Sequence, residues 1–119
     1  MTESGVIDPS ALDTLMETTG GDPEFLGEMI DVFLADAVEL LAAMDGALAG
    51  GDAEALRRAA HSLKSNAATF GATRLTALAR QIEELGKTAE LAGSPPFLAT
   101  ARAEFASVEH ALRATRASL

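Results

Sequence analysis

The sequence predicts an all-α protein, an antiparallel up-and-down four-helix bundle with a short additional N-terminal helix. Three observations carry this expectation. Apolar residues recur at spacings of three and four through four long segments. Asp-Pro pairs and glycine breaks stand where those segments would begin and end. The composition is rich in Ala and Leu, with five Phe and no Trp or Tyr, which suits helices packed closely through small side chains. A chain of 119 residues makes one domain, 1–119, with residues 1–7 expected to be flexible.

Asp8-Pro9 places an N-cap acceptor before a proline at the first helical position, opening a short helix with Leu12, Leu15 and Met16 that runs to Gly20-Gly21. This helix is expected to cover one end of the bundle. Asp22-Pro23 repeats the device, and Leu26, Ile30, Phe33, Ala37, Leu40, Met44 and Leu48 form a sustained stripe until Gly50-Gly51. Asp52 caps the third helix, whose stripe is Leu56, Ala60, Leu63, Ala67 and Phe70 and whose end is Gly71. Leu75, Leu78, Ile82 and Leu85 define the fourth helix, closed by Gly86; residues 87–93 are read as a loop or a fraying turn. Ser94-Pro95 begins the last helix, striped by Leu98, Ala101, Phe105, Val108 and Leu112.

Composition excludes several functions. A formal net charge of −9 argues against nucleic acid, whose phosphates reward a concentrated positive face. No long apolar run and no basic-then-apolar start predict a membrane span or a secretory signal. Together with the absence of cysteine, this places the protein in the cytoplasm as an expectation. The nine Lys and Arg are unevenly placed: none lies between Thr2 and Gly51, whereas Arg57, Arg58, Lys64, Arg74 and Arg80 surround one histidine. The cluster is read as a locally positive patch, although Arg58 and Arg74 taken singly also fit a solvated surface.

That histidine, His61, lies roughly 140° from the centre of its helix's apolar stripe at about 100° per residue, so it faces water. Lys64 and Ser65 follow one turn later on the same side, giving the ring a neighbouring cation and little bulk above it. An open imidazole nitrogen can act as nucleophile, base or metal ligand. A metal site is disfavoured, because the one other histidine, His110, is distant and the rest would be carboxylates. Hydrolysis needs a pocket that a convex helix face does not offer. The tight Gly71-Ala72 turn makes the third and fourth helices antiparallel, which sets His61 level with Glu83 and Lys64 level with Arg80. A carboxylate there would accept one ring N–H and leave the other nitrogen free, with Glu84 the alternative if the helix is rotated.

The string His61-Ser62-Leu63-Lys64-Ser65, with Gly71-Ala72 and then Leu75, Leu78 and Ile82, resembles the histidine-containing phosphotransfer (HPt) domain family over nearly the whole chain. Ser65 stands where many members have glycine, and serine too is used there. The resemblance implies a phosphocarrier of a multi-step His-Asp phosphorelay in two-component signalling. His61 would take a phosphoryl group on Nε2 from a receiver-domain aspartate or a kinase and pass it to another receiver. Lys64 would stabilise phosphate charge and Glu83 would orient the ring, while Arg57, Ser65, Ala68 and Arg80 would serve receiver docking and local charge. No nucleotide motif occurs, so a carrier and not a kinase is expected, with no cofactor or metal of its own and with magnesium supplied by the receiver. The expected partners are response-regulator receiver domains and a sensor or hybrid histidine kinase, with no nucleic acid and no membrane. A monomer is expected, and the start at Met1 favours a free-standing protein over a piece of a hybrid kinase. The alternative function is a non-phosphorylated helical scaffold that binds receivers or other signalling domains.

Overall fold

Helix N-termini leave N–H groups without partners, and three of them are met here by aspartate. In the computed structural model, which describes residues 6–119, Asp8 accepts from the Ser10 N–H before α1 (Pro9–Thr18). Asp22 accepts from the N–H groups of Glu24 and Phe25 before α2 (Pro23–Gly50). Asp52 accepts from Ala55 before α3 (Ala53–Thr69). The chain continues as α4 (Thr73–Lys87), a 3-10 turn at Leu91–Gly93 and α5 (Ser94–Ala117), and no strand occurs among the described residues.

Helices α2 to α5 pack as a ring of neighbours, α2 on α3, α3 on α4, α4 on α5 and α5 back on α2. Ile30, Met44, Leu56, Leu63, Leu75, Ile82, Val108 and Leu112 are fully buried at its centre. The rings of Phe33 and Phe70 stack with centroids 4.8 Å apart. The stripe of α2 differs from the expected one. Leu34, Leu41 and Ala47 are buried, while Leu40 and Leu48 are only partly so. A 28-residue helix touching both α3 and α5 carries two seams, so its buried arc is wider than a single stripe.

Helix α1 covers the end of the bundle at the α3–α4 turn, as expected. The Asp8 N–H donates to the Gly71 carbonyl at 2.8 Å. Gly71 has φ +73°, and a Cβ there would lie 2.7 Å from the Ala11 Cβ. Of the lead 1–7, residues 1–5 lie outside the described part; Ile7 is packed into the core and is not a loose tail.

The end of α4 corrects the expectation at Gly86. The helix passes through Gly86 to Lys87, and the left-handed residue that ends it is Ala89, at φ 59°, followed by a Glu90 N–H bond to the Leu85 carbonyl at 2.9 Å. Gly86 has a tertiary role instead. A Cβ there would sit 2.8 Å from the Arg57 backbone nitrogen and 2.9 Å from its Cα, so glycine is what lets α3 and α4 approach. Part of the expected loop, Leu91–Gly93, is also helical in the 3-10 sense.

Candidate functional site

Leu56, Ala60, Leu63 and Ala67 turn one face of α3 wholly into the core, which leaves the His61 side chain 58% exposed on the opposite face. Across the close α3–α4 seam, Glu83 is buried, its side chain 4% exposed. Its oxygens are divided between two partners from α3. Oε2 is 2.8 Å from His61 Nδ1, and Oε1 is 2.6 Å from Lys64 Nζ. The Lys64 ammonium is the largest influence holding the Glu83 carboxyl below the ordinary carboxylate range; burial pushes the other way, and the His61 contact adds to the lowering. An ionised carboxylate can only accept, so Nδ1 carries the ring proton and the Nε2 lone pair points away from Glu83.

Helices α3 and α4 thus bring His61, Lys64 and Glu83 together. Glu84 is turned outward, 3.4 Å from Lys87. Lys64, expected level with Arg80, carries its ammonium one turn along α4 to Glu83, and Arg80 is exposed. The reason is reach. Glu83 is three residues from that level, about 4.5 Å along the helix at 1.5 Å per residue, well within a lysine's span. Arg57 is held by Glu54 at 2.9 and 2.5 Å, and Arg58 lies 3.8 Å from the same carboxylate, so part of the positive patch is already neutralised. Ser65 and Ala68 are exposed one and two turns beyond His61. His110 is exposed on α5 and does not line the depression beside His61.

Sequence reasoning missed the contribution of α2. A shallow depression beside His61 and Ser65 is completed by Asp36, Glu39 and Leu40. The signal was the adjacent pair Leu40-Leu41, one residue of which had to lie off the main seam. Among the described residues no three His, Cys, Asp or Glu side chains converge as a metal group. No described helix is long and apolar enough to cross a membrane.

A convex helix face with one ring nitrogen tethered and the other open has no enclosure for a small substrate; it is a surface for a group carrier that meets a protein partner. Comparison with known proteins makes the class particular. The Hpt domain family model matches residues 28–117. The crystal structure of histidine-containing phosphotransfer protein B (HptB) from Pseudomonas aeruginosa PAO1 is similar at a TM-score of 0.89 and 30% identity, covering 95% of this chain and 96% of that one. A search of curated proteins gave no match. The chain belongs to the Hpt domain family, whose members are phosphorelay carriers rather than kinases and meet receiver domains and histidine kinases.

Proposed function

We propose that His61 is the phosphorylated residue, taking a phosphoryl group from the aspartyl phosphate of one receiver, or from a histidine kinase, and passing it to another receiver. The observation that supports this most is the 2.8 Å contact of Nδ1 with buried Glu83, which leaves Nε2 as the accessible nucleophile. In the forward step the Nε2 lone pair forms the N–P bond, the acyl P–O bond breaks and the aspartate leaves as carboxylate. The ring becomes positively charged while Nδ1 keeps its proton, and Glu83 stabilises that charge through the same hydrogen bond. Transfer to the next receiver reverses these events.

Lys64 holds the Glu83 carboxyl low and sets positive charge one turn from the ring for the phosphoryl oxygens. Ser65 and Ala68 leave room for the receiver's aspartate to approach in line. Arg57 and Arg80 add local positive charge at the edge of that approach. Both Glu83 oxygens are engaged by protein donors, so magnesium is assigned to the receiver's own carboxylates. The protein acts as a cytoplasmic monomer in this reading.

The test is labelling with phosphoramidate and with phosphorylated receivers. Wild-type protein should gain an acid-labile, alkali-stable label, and His61→Gln should gain none while melting within a few degrees of wild type, since the exposed side chain adds little to packing and the glutamine amide keeps a donor for Glu83. A wild-type protein that binds receivers without ever taking label would be a scaffold. Label retained by His61→Gln would move the site elsewhere.

A further inference from the structure

Charge is divided unevenly around His61. No Lys or Arg precedes Arg57 in the chain, so every formal charge that α2 carries is negative. At about 100° per residue, Lys64 lies about 60° to one side of His61 around α3, toward Glu83 of α4, and Ser65 and Ser62 lie about 40° and 100° to the other. That second flank forms a depression with α2, lined by His61, Ser62 and Ser65 on one side and by Asp36, Glu39 and Leu40 on the other. Asp36 and Glu39 are exposed, and neither carboxylate is held in a hydrogen bond or ion pair among the described residues. The neighbouring cations of α3 are engaged elsewhere, Lys64 with Glu83 and both Arg57 and Arg58 with Glu54.

We propose that Asp36 and Glu39 set the phosphoryl-transfer potential of His61, raising the free energy of the phosphorylated chain so that the group passes on to a receiver and is not retained on the imidazole. This rests on the phosphocarrier reading above. Nδ1 is tethered to Glu83 on the α4 side, so a phosphoryl group on Nε2 stands at the ring edge turned away from Glu83. It brings about two negative charges at neutral pH and leaves one positive charge on the ring, a net gain of about one negative charge. Packed helices stand about 8–10 Å apart, so the α2 carboxylates act on that charge through space without touching it. When the Nε2–P bond breaks and the receiver's aspartate forms its acyl P–O bond, the lone pair returns to Nε2 and the phosphoryl charge leaves with the receiver. The repulsion is then relieved. Lys64 acts in the opposite sense by attracting the phosphoryl oxygens, so the two flanks of His61 oppose each other and their balance fixes the equilibrium. A contact made only in the encounter complex changes forward and reverse rates alike, whereas a charge acting on phosphorylated His61 itself changes their ratio.

The test uses the full chain labelled on His61 with phosphoramidate and mixed with a receiver domain from the same genome that accepts the label. Rapid quench reads the ratio of labelled His61 to labelled receiver once exchange has levelled, with magnesium fixed, at about 10 mM and about 1 M salt, where the screening length is about 30 Å and about 3 Å. Asp36→Asn/Glu39→Gln should move the ratio toward phosphorylated His61 by about threefold or more at low salt, and by much less at high salt. The charge-preserving Asp36→Glu/Glu39→Asp should keep the wild-type ratio. Neutralising two carboxylates of α1, which do not line the depression, with Asp13→Asn/Glu17→Gln should alter it by less than about 1.5-fold. An unchanged ratio in Asp36→Asn/Glu39→Gln would overturn the proposal, even if both rates changed, because the carboxylates would then act in docking alone. A shift toward the receiver, a shift that survives high salt, or an equal shift from the α1 variant would overturn it as well. A chain that takes no label at His61 defeats the carrier reading itself, and this inference with it. A labelled chain whose equilibrium ignores Asp36 and Glu39 defeats only the inference.

Discussion

Replacing Glu83 by glutamine keeps a side chain of the same length that can still accept the Nδ1 proton of His61, and removes only the charge. The carboxylate oxygen lies 2.8 Å from Nδ1, so it acts on whatever charge the ring acquires. The form of the ring that can attack has Nε2 unprotonated and carries no charge; when Nε2 attacks phosphorus it becomes cationic, and the interaction is therefore stronger in the transition state than before it. Two unit charges about 4 Å apart attract by about 4 kcal/mol at an effective dielectric of 20. Two features of the site reduce this. Lys64, 2.6 Å from the other oxygen, cancels part of the field, and the 58% exposure of the imidazole lets water screen more. What remains is about 1–1.5 kcal/mol, roughly tenfold in rate. The assay is rapid-quench transfer between phosphorylated His61 and a receiver, with the ring ¹⁵N shifts of His61 recorded in parallel. Wild-type rates from a Glu83→Gln protein that retains the Nδ1–H tautomer would refute the charge argument. Loss of that tautomer with unchanged rates would remove Glu83 from the mechanism altogether.

Ser65→Leu should leave the helix at least as stable and slow transfer on the order of a hundredfold by obstructing the approach to His61, whereas Ser65→Gly should transfer normally and cost about 0.5–1 kcal/mol in urea unfolding; a fully active Ser65→Leu protein would show that receivers dock elsewhere. Gly86→Ala sets a Cβ 2.8 Å from the backbone of Arg57. Overpacking of about 1–3 kcal/mol should exceed the gain of about 1 kcal/mol in helix propensity, so the urea midpoint should fall, and a raised midpoint would contradict the close approach. Glu83, lowered in the folded protein from its ordinary 4.5, contributes stability above its unfolded value and loses it as pH falls through the folded one. Urea titrations below about pH 5 should therefore show wild-type stability declining more steeply than that of Glu83→Gln, and parallel curves would mean that Glu83 gains no net stabilisation from its partners.

The features legible in the sequence are those whose causes are local. Asp-Pro starts and the stripe of α3 need no knowledge of distant residues, and once α3 and α4 are antiparallel about Gly71, the level of His61 and Glu83 follows from counting. The end of α4 was not legible, for two opposite reasons. Gly86 looks like a helix stop but is required by the Arg57 backbone across the seam, and the true stop uses Ala89, a residue type with no preference for positive φ. The pair of Lys64 with Glu83 was not legible, because counting fixes where a Cα lies and says nothing of where a long side chain ends. The acidic edge contributed by α2 was missed because the helix carries two seams, and a single-stripe reading assigns Leu40 to the core when it borders the His61 depression.

The spacing of His61 and Lys64 has a cause that the structure supplies. A carboxylate as buried as Glu83 needs compensation for the water it has lost, and hydrogen bonds to both of its oxygens provide it. Both donors come from α3. Three residues advance the helix by about 4.5 Å and turn it by about 300°, which sets His61 and Lys64 on one face at a separation that a single carboxylate spans. A lysine one position later would be swung a further 100° or so around the helix, away from the seam and off Oε1. Glu83 would then be left with the imidazole as its remaining partner, and the largest influence that holds its carboxyl low against burial would be gone. The lysine therefore acts on the resting state, before any phosphoryl group arrives.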